Sequence, residues 1–147
     1  MEKGSQVDAI YTDLSAAFDK MDHEIALAKF ERLGIGGSLL SWLRSYLTNR
    51  NTSVKIGDHV SFPFQVKSGI PQGSHLGPFL FLLYMNDVNH VLKCQKKSYA
   101  DDLKLYYVIE KPSDALFLQN ELNVFAAWCE TNRMVLNASK CSDILWA

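Results

Sequence analysis

Two adjacent aspartates at the tip of an expected hairpin constrain this chain more than any other feature. Gln95 to Ala100 and Leu103 to Ile109 both read as strands, the second with Leu103, Leu105, Tyr107 and Ile109 at alternate positions. The turn between them holds Asp101 and Asp102. Aspartate is a common turn residue, so an isolated pair needs no further explanation. Two like charges held side by side between hydrophobic strands are nevertheless costly without a cation, which points to a metal site.

A third carboxylate stands in a similar place. Val7 to Asp13 is rich in β-formers and suits a buried strand ending at Asp13. A strand-end carboxylate has its backbone tied into a sheet while its side chain projects from the edge, a rigid base for a metal ligand. Mg²⁺ takes oxygen ligands and is usually held by one or two carboxylates plus substrate phosphates. Two such ions about 4 Å apart can serve the attacking and leaving oxygens of a phosphoryl displacement.

The remaining periodicity is mixed. Asp22 stands as the N-cap of an amphipathic helix carrying Ile25, Leu27, Ala28, Phe30 and Leu33, with Gly34 as its stop. A second helix starts near Gly37-Ser38 and carries Leu39, Leu40, Leu43 and Leu47. Thr52 to Ile56 and Val60 to Val66 flank Gly57-Asp58 as a hairpin, with Val60, Phe62, Phe64 and Val66 on one face and Pro63 marking an edge. The glycine-rich loop Ser68 to Gly73 leads into a helix through Leu76, Leu80, Leu83 and Tyr84, with Pro78 in its first turn. Ser113 is expected to cap a long helix through Leu118, Leu122, Phe125 and Cys129. Met134 to Leu136 and Ile144 to Trp146 are short strand candidates. Interleaved helices and strands in 147 residues predict one mixed domain.

Composition narrows the class. The three cysteines are odd in number, widely spaced and lack a Cys-x-x-Cys pair, so neither a disulfide framework nor a zinc site is expected, and a reducing intracellular compartment fits. No apolar run approaches the roughly 20 residues that span a bilayer, and no membrane association is expected. The formal charge of −1 argues against tight autonomous binding to nucleic acid, which normally needs a basic surface. No basic cluster reads as a nuclear signal, so nucleus and cytoplasm both stay open.

Tyr99-Ala100-Asp101-Asp102 resembles the tetrapeptide at the heart of reverse transcriptases. Asp13-Leu14-Ser15-Ala16-Ala17-Phe18-Asp19 lies upstream of it and Ser68-Gly69-Ile70-Pro71-Gln72-Gly73-Ser74 between, in the family's order and spacing. The longer wording, with Ser74-His75-Leu76-Gly77-Pro78, Trp128-Cys129, Leu136-Asn137 and Lys140-Cys141, is similar to jockey-like non-LTR retrotransposons of animals. Reverse transcriptases of the group II intron or telomerase type share the three aspartates but match the surrounding wording less well.

The resemblance implies an α+β polymerase palm, an antiparallel sheet carrying the carboxylates with helices packed on one face. It implies Asp13, Asp101 and Asp102 as ligands of two Mg²⁺ ions, with Mn²⁺ a possible substitute. Phe18 would be the steric gate against a ribose 2′-OH; its plain alternative is a core aromatic. Gln72 would touch the incoming nucleotide, while Gly69 and Gly73 would let the backbone approach substrate. Lys140 would protonate or stabilise departing pyrophosphate, the alternative being an ordinary surface lysine. The implied activity is RNA-directed DNA polymerisation, with RNA template, DNA primer and dNTPs as partners.

The family's fingers would precede residue 8 and its thumb would follow residue 147, so the chain reads as a partial reverse transcriptase domain, a palm expected to be inactive by itself. The competing reading is a truncated or domesticated remnant, without catalysis, that serves as an interaction module.

Overall fold

The computed structural model describes residues 6–146, and the side chains of residues 6–142. In chain order the elements are β1 (Gln6–Thr12), α1 (Ala17–Lys20), α2 (His23–Arg32), α3 (Gly37–Leu47), β2 (Arg50–Thr52), β3 (Lys55–Ile56), β4 (His59–Val60) and β5 (Phe64–Val66). They continue with α4 (Gly77–Met85), α5 (Val88–Val91), β6 (Gln95–Tyr99), β7 (Asp102–Ile109), α6 (Pro112–Thr131) and β8 (Ser142–Trp146). The expected α+β class holds. The chain divides into two compact units, Met1–Ala17 with Met85–Ala147, and Phe18–Tyr84.

The first unit is built on a four-stranded sheet of order β6-β7-β1-β8, antiparallel throughout. Alternation gives each strand two faces. On β7, Leu103 and Leu105 are buried, and Tyr107 on the same face meets Phe117 of α6 at a ring-centroid distance of 4.8 Å. Ile10 and Thr12 of β1 pair with Leu105 and Leu103 and are buried with them. The α6 face is thus apolar. The opposite face displays Asp102, Lys104 and Tyr106.

Helix α6 begins differently from expectation. Its N-cap is Lys111, and Pro112 occupies the first helical turn, where a missing N–H costs nothing. The Asp114 carboxylate accepts from the backbone N–H groups of Glu110 and Lys111, so Ser113 lies inside the helix and does not cap it. Buried Glu121, farther along α6, accepts from the N–H of Lys93 and Cys94 and so fixes the entry to β6. The candidate strand at Met134 to Leu136 forms only one bridge, Leu14 to Leu136.

In the second unit, Asp22 caps α2 as expected, accepting from the N–H of Glu24 and Ile25. Met21, Leu27, Phe30, Leu47, Leu80 and Phe81 are among its buried side chains. The single hairpin expected around Gly57-Asp58 is instead two short ladders, β2 with β5 and β3 with β4. Pro63 cannot donate to a ladder, so pairing is interrupted between them. The expected apolar face is consequently not buried: Val60, Phe62 and Phe64 are all exposed.

Candidate active site

The β6–β7 turn is shifted by one residue from the expected Asp101-Asp102. Tyr99 pairs with Asp102, so the two-residue loop is Ala100-Asp101, and Asp102 already belongs to β7. Ala100 carries φ +53, a conformation usually left to glycine, asparagine or aspartate. A strained residue at a turn tip persists only where the surrounding structure holds it, here the paired strands on either side.

Pairing of β1 with β7 brings the carboxylates together. The ladder ends at Thr12 opposite Leu103, leaving Asp13 and Asp102 as the next residues of the two strands at that end. A buried hydrogen bond from Thr12 Oγ1 to the Leu103 carbonyl, 2.9 Å, fastens the register there. Asp13, Asp102 and Lys140 line one cavity of about 540 Å³, with Tyr11, Lys97, Tyr99 and Lys104 also in its wall. Asp101, in the turn, is not part of that lining. Among the described residues, no group of three His, Cys, Asp or Glu side chains is gathered around one metal position. The structure therefore brings Asp13 and Asp102 together while leaving the third carboxylate at the tip.

Lys140 reaches the site from the segment before β8. The Asn137 N–H donates to the Asp13 carbonyl at 2.8 Å and the Ser15 N–H to the Val135 carbonyl at 2.7 Å, tying this segment to the end of β1. Lys140 Nζ consequently stands 3.5 Å from Asp13 Oδ1.

The other candidate residues lie in the second unit. Phe18 stacks on Phe81, with centroids 4.6 Å apart and planes inclined by 25°. The glycine-rich loop is clamped to the chain just after Phe18. Gly69 N–H donates to the Met21 carbonyl, Ile70 N–H to the Phe18 carbonyl, and Ser68 Oγ to the Asp19 carbonyl. At Gly69, φ is +80 and a Cβ would stand 2.6 Å from the Asp19 carbonyl oxygen, so a side chain is excluded on both counts. The Gly69 carbonyl accepts from Arg50 Nη2 and is hydrogen-bonded to His23 Nε2. Gln72 Nε2 donates to Asp19 Oδ1 at 2.9 Å. Gly73 has φ +75 with open space around it, leaving its backbone accessible.

Motif reading by itself did not single out Lys97 or the Asp19–Gln72 contact. Lys97 faces Lys104 because the turn falls at Ala100-Asp101, and the Asp19 contact spans 53 residues and is a product of loop packing.

Residues 2–146 match the family model described as reverse transcriptase (RNA-dependent DNA polymerase). The chain is 31% identical over 142 residues to the probable RNA-directed DNA polymerase from transposon BS of Drosophila melanogaster, covering 90% of this chain and 16% of that protein. To the RNA-directed DNA polymerase from mobile element jockey of the same fly it is 29% identical over 159 residues, covering 100% of this chain and 17% of the relative. Among solved structures, apo telomerase from Candida tropicalis, truncated from its C-terminal domain, superposes with a TM-score of 0.74 at 12% identity, over 97% of this chain and 31% of that one. At that identity the likeness is one of fold.

Proposed function

The chain belongs to the reverse transcriptase family, and from that premise we propose that its open sheet face is the nucleotidyl-transfer site of an RNA-directed DNA polymerase of the non-LTR retrotransposon type. The observation that carries this reading is the placement of Asp13 and Asp102 at the same end of adjacent strands, lining one cavity with Lys140.

The donor set fits a hard divalent cation. Facing carboxylates with access to water suit Mg²⁺, which keeps several waters and completes its shell with substrate phosphates. Asp13 and Asp102 would hold the ions, Mg²⁺ or in its place Mn²⁺, with Asp101 contributing from the turn. When bound, the ions would neutralise charge on the reacting phosphate and activate the primer hydroxyl. The chain's own residues supply position. Rigid pairing of β1 with β7 holds the two carboxylates in place without reorganisation at the moment of reaction.

Lys140 is two-thirds exposed, so its ammonium is free to exchange the Asp13 carboxylate for the departing pyrophosphate and deliver a proton there. Phe18 is assigned the gate against a ribose 2′-OH, and Gln72 and Gly73 the contact with the incoming dNTP, on their motif positions. RNA template and DNA primer are the proposed partners. The chain spans only 16% and 17% of the two fly relatives, so further binding surfaces are assigned to the rest of the polymerase.

The test is primer extension on an RNA template by the full-length polymerase carrying this domain. Asp13→Asn and Asp102→Asn should each abolish Mg²⁺-dependent extension while leaving the circular-dichroism spectrum unchanged. Extension at the wild-type rate by either variant would overturn the assignment.

A further inference from the structure

The peptide unit that joins Gly69 to Ile70, just ahead of Gln72, is held by three hydrogen bonds. Its N–H donates to the Phe18 carbonyl at 2.9 Å. Its carbonyl oxygen meets Arg50 Nη2 at 2.7 Å and His23 Nε2 at 2.8 Å. A carbonyl oxygen can only accept, so His23 carries a proton on Nε2. One partner satisfies a buried carbonyl; here both lone pairs are used, by donors from two different elements.

The donors are themselves anchored, and every contact lies within the second unit. His23 is buried and opens α2. Arg50 spans two carbonyls, since its Nε donates to Leu47 at 2.9 Å, where the end of α3 leaves carbonyls without helical partners. The far end of the loop is tied to α3 as well. Tyr46 donates from its hydroxyl to Ser74 Oγ, which accepts from the N–H of Gly77 at the start of α4. Gln72 lies between these two anchors, its Nε2 on Asp19 Oδ1.

A buried histidine bonded to one carbonyl is ordinarily a satisfied core residue, and stability accounts for a single bond of that kind. The convergence of an imidazole and a guanidinium on one oxygen does more, because two donors at different angles leave the peptide plane a single orientation. Between that plane and Gln72 stand only Ile70, which is buried, and Pro71, whose ring fixes φ. The plane's orientation therefore sets where Gln72 stands.

We propose that His23 and Arg50 are positioning residues for nucleotide binding, which lock the Gly69–Ile70 peptide and so hold Gln72 in place for the incoming dNTP. This rests on the polymerase reading above, in particular on the assignment of Gln72 to the nucleotide. Neither side chain touches substrate; each acts through the loop. A loop already ordered before binding loses less freedom when the ligand arrives, so its loosening is felt in ligand affinity.

The test uses the full-length polymerase with His23→Leu, His23→Gln, Arg50→Met and Gln72→Ala, measuring dNTP KM and kcat, primer–template affinity and melting temperature. His23→Leu and Arg50→Met should each raise dNTP KM about tenfold, the upper range for one hydrogen bond, with kcat and primer–template affinity within about twofold of wild type. Unchanged KM in both overturns the proposal, whatever happens to the melting temperature. His23→Gln presents an amide N–H in place of the ring N–H and should recover most of the loss. A KM as high as that of His23→Leu would assign the effect to ring packing and overturn the hydrogen-bond role. If His23→Leu fails to fold, half-buried Arg50 carries the test, since methionine keeps its apolar stem. Added to Gln72→Ala, either change should raise KM by less than about twofold more, because the group it positions is gone. Full additivity would place both residues outside the action of Gln72 and overturn the proposal. Failure of the parent reading looks different. Gln72→Ala would then leave dNTP KM unchanged, and the proposal would fall with the assignment of Gln72, whereas a raised KM in Gln72→Ala with His23→Leu and Arg50→Met silent sinks the proposal alone.

Discussion

Lys140 Nζ stands 3.5 Å from Asp13 Oδ1, joining the residue just past β1 to the segment that precedes β8. With the lysine two-thirds exposed to solvent, the pair contributes about 1 kcal/mol or less, too little to explain the placement as a device for stability. Lys140→Gln should leave the melting temperature within about 4 °C of wild type, in line with that small energy. It should slow extension at saturating dNTP by about 10²-fold or more, the usual range for a lost general acid. A large drop in melting temperature with kcat unchanged would return Lys140 to the role of a structural counter-ion.

Phe18 is both a candidate gate and half of a stacked pair with Phe81. Phe18→Val should therefore act twice. It should raise incorporation of ribonucleotides relative to deoxynucleotides, and it should destabilise the domain by at least the about 0.5–1.5 kcal/mol of an aromatic pair. Phe81→Leu separates the effects, because it removes the stack and leaves the Phe18 ring. A selectivity change as large in Phe81→Leu as in Phe18→Val would show that packing, not a gate, governs the ratio.

Ala100 at φ +53 makes the turn tip a place where stability and function should diverge. Ala100→Gly relieves about 1–3 kcal/mol of local strain against about 0.4–1 kcal/mol of added unfolded-state entropy. The urea midpoint should rise by an amount corresponding to about 1 kcal/mol, the difference between those terms. Extension should slow, because glycine loosens the turn beside Asp101 and Asp102. A lower midpoint would mean that the left-handed conformation is not strained in this setting.

The three cysteines should differ sharply in reactivity. Burial pushes the Cys94 thiol up to about 11, with the Glu121 carboxylate adding to the effect, and burial pushes Cys129 up to about 12. Both values exceed the ordinary 9.0, so the folded state holds these protons more tightly than the unfolded chain. Their contribution to stability is complete below pH 9.0 and is lost as the pH rises through about 11 and 12. At pH 8 a disulfide reagent should modify half-exposed Cys141 quickly and the other two only after denaturation. Fast native-state labelling of Cys94 would show that β6 opens easily.

Local chemistry was legible in the sequence wherever it repeats along the chain. Alternation in Leu103, Leu105 and Tyr107 marked β7 and its buried face, and Asp22 marked the start of α2, because side-chain period and N-cap bonding depend on neighbours a few residues away. Ordered motifs named Asp13, Asp101, Asp102, Phe18, Gln72 and Lys140 as the residues to watch. Turn placement was less legible: the shift to Ala100-Asp101 follows from the Tyr99–Asp102 pairing, and register is set across strands. The cap at Lys111 likewise depended on where Asp114 turned back to the backbone. Only the tertiary structure decided that Asp13 meets Lys140, that Gln72 leans on Asp19, and that Lys97 and Lys104 share a row beside the carboxylates. Partners such as Asp13 and Lys140 stand far apart in sequence, and no local preference encodes which distant strand or loop a side chain will face.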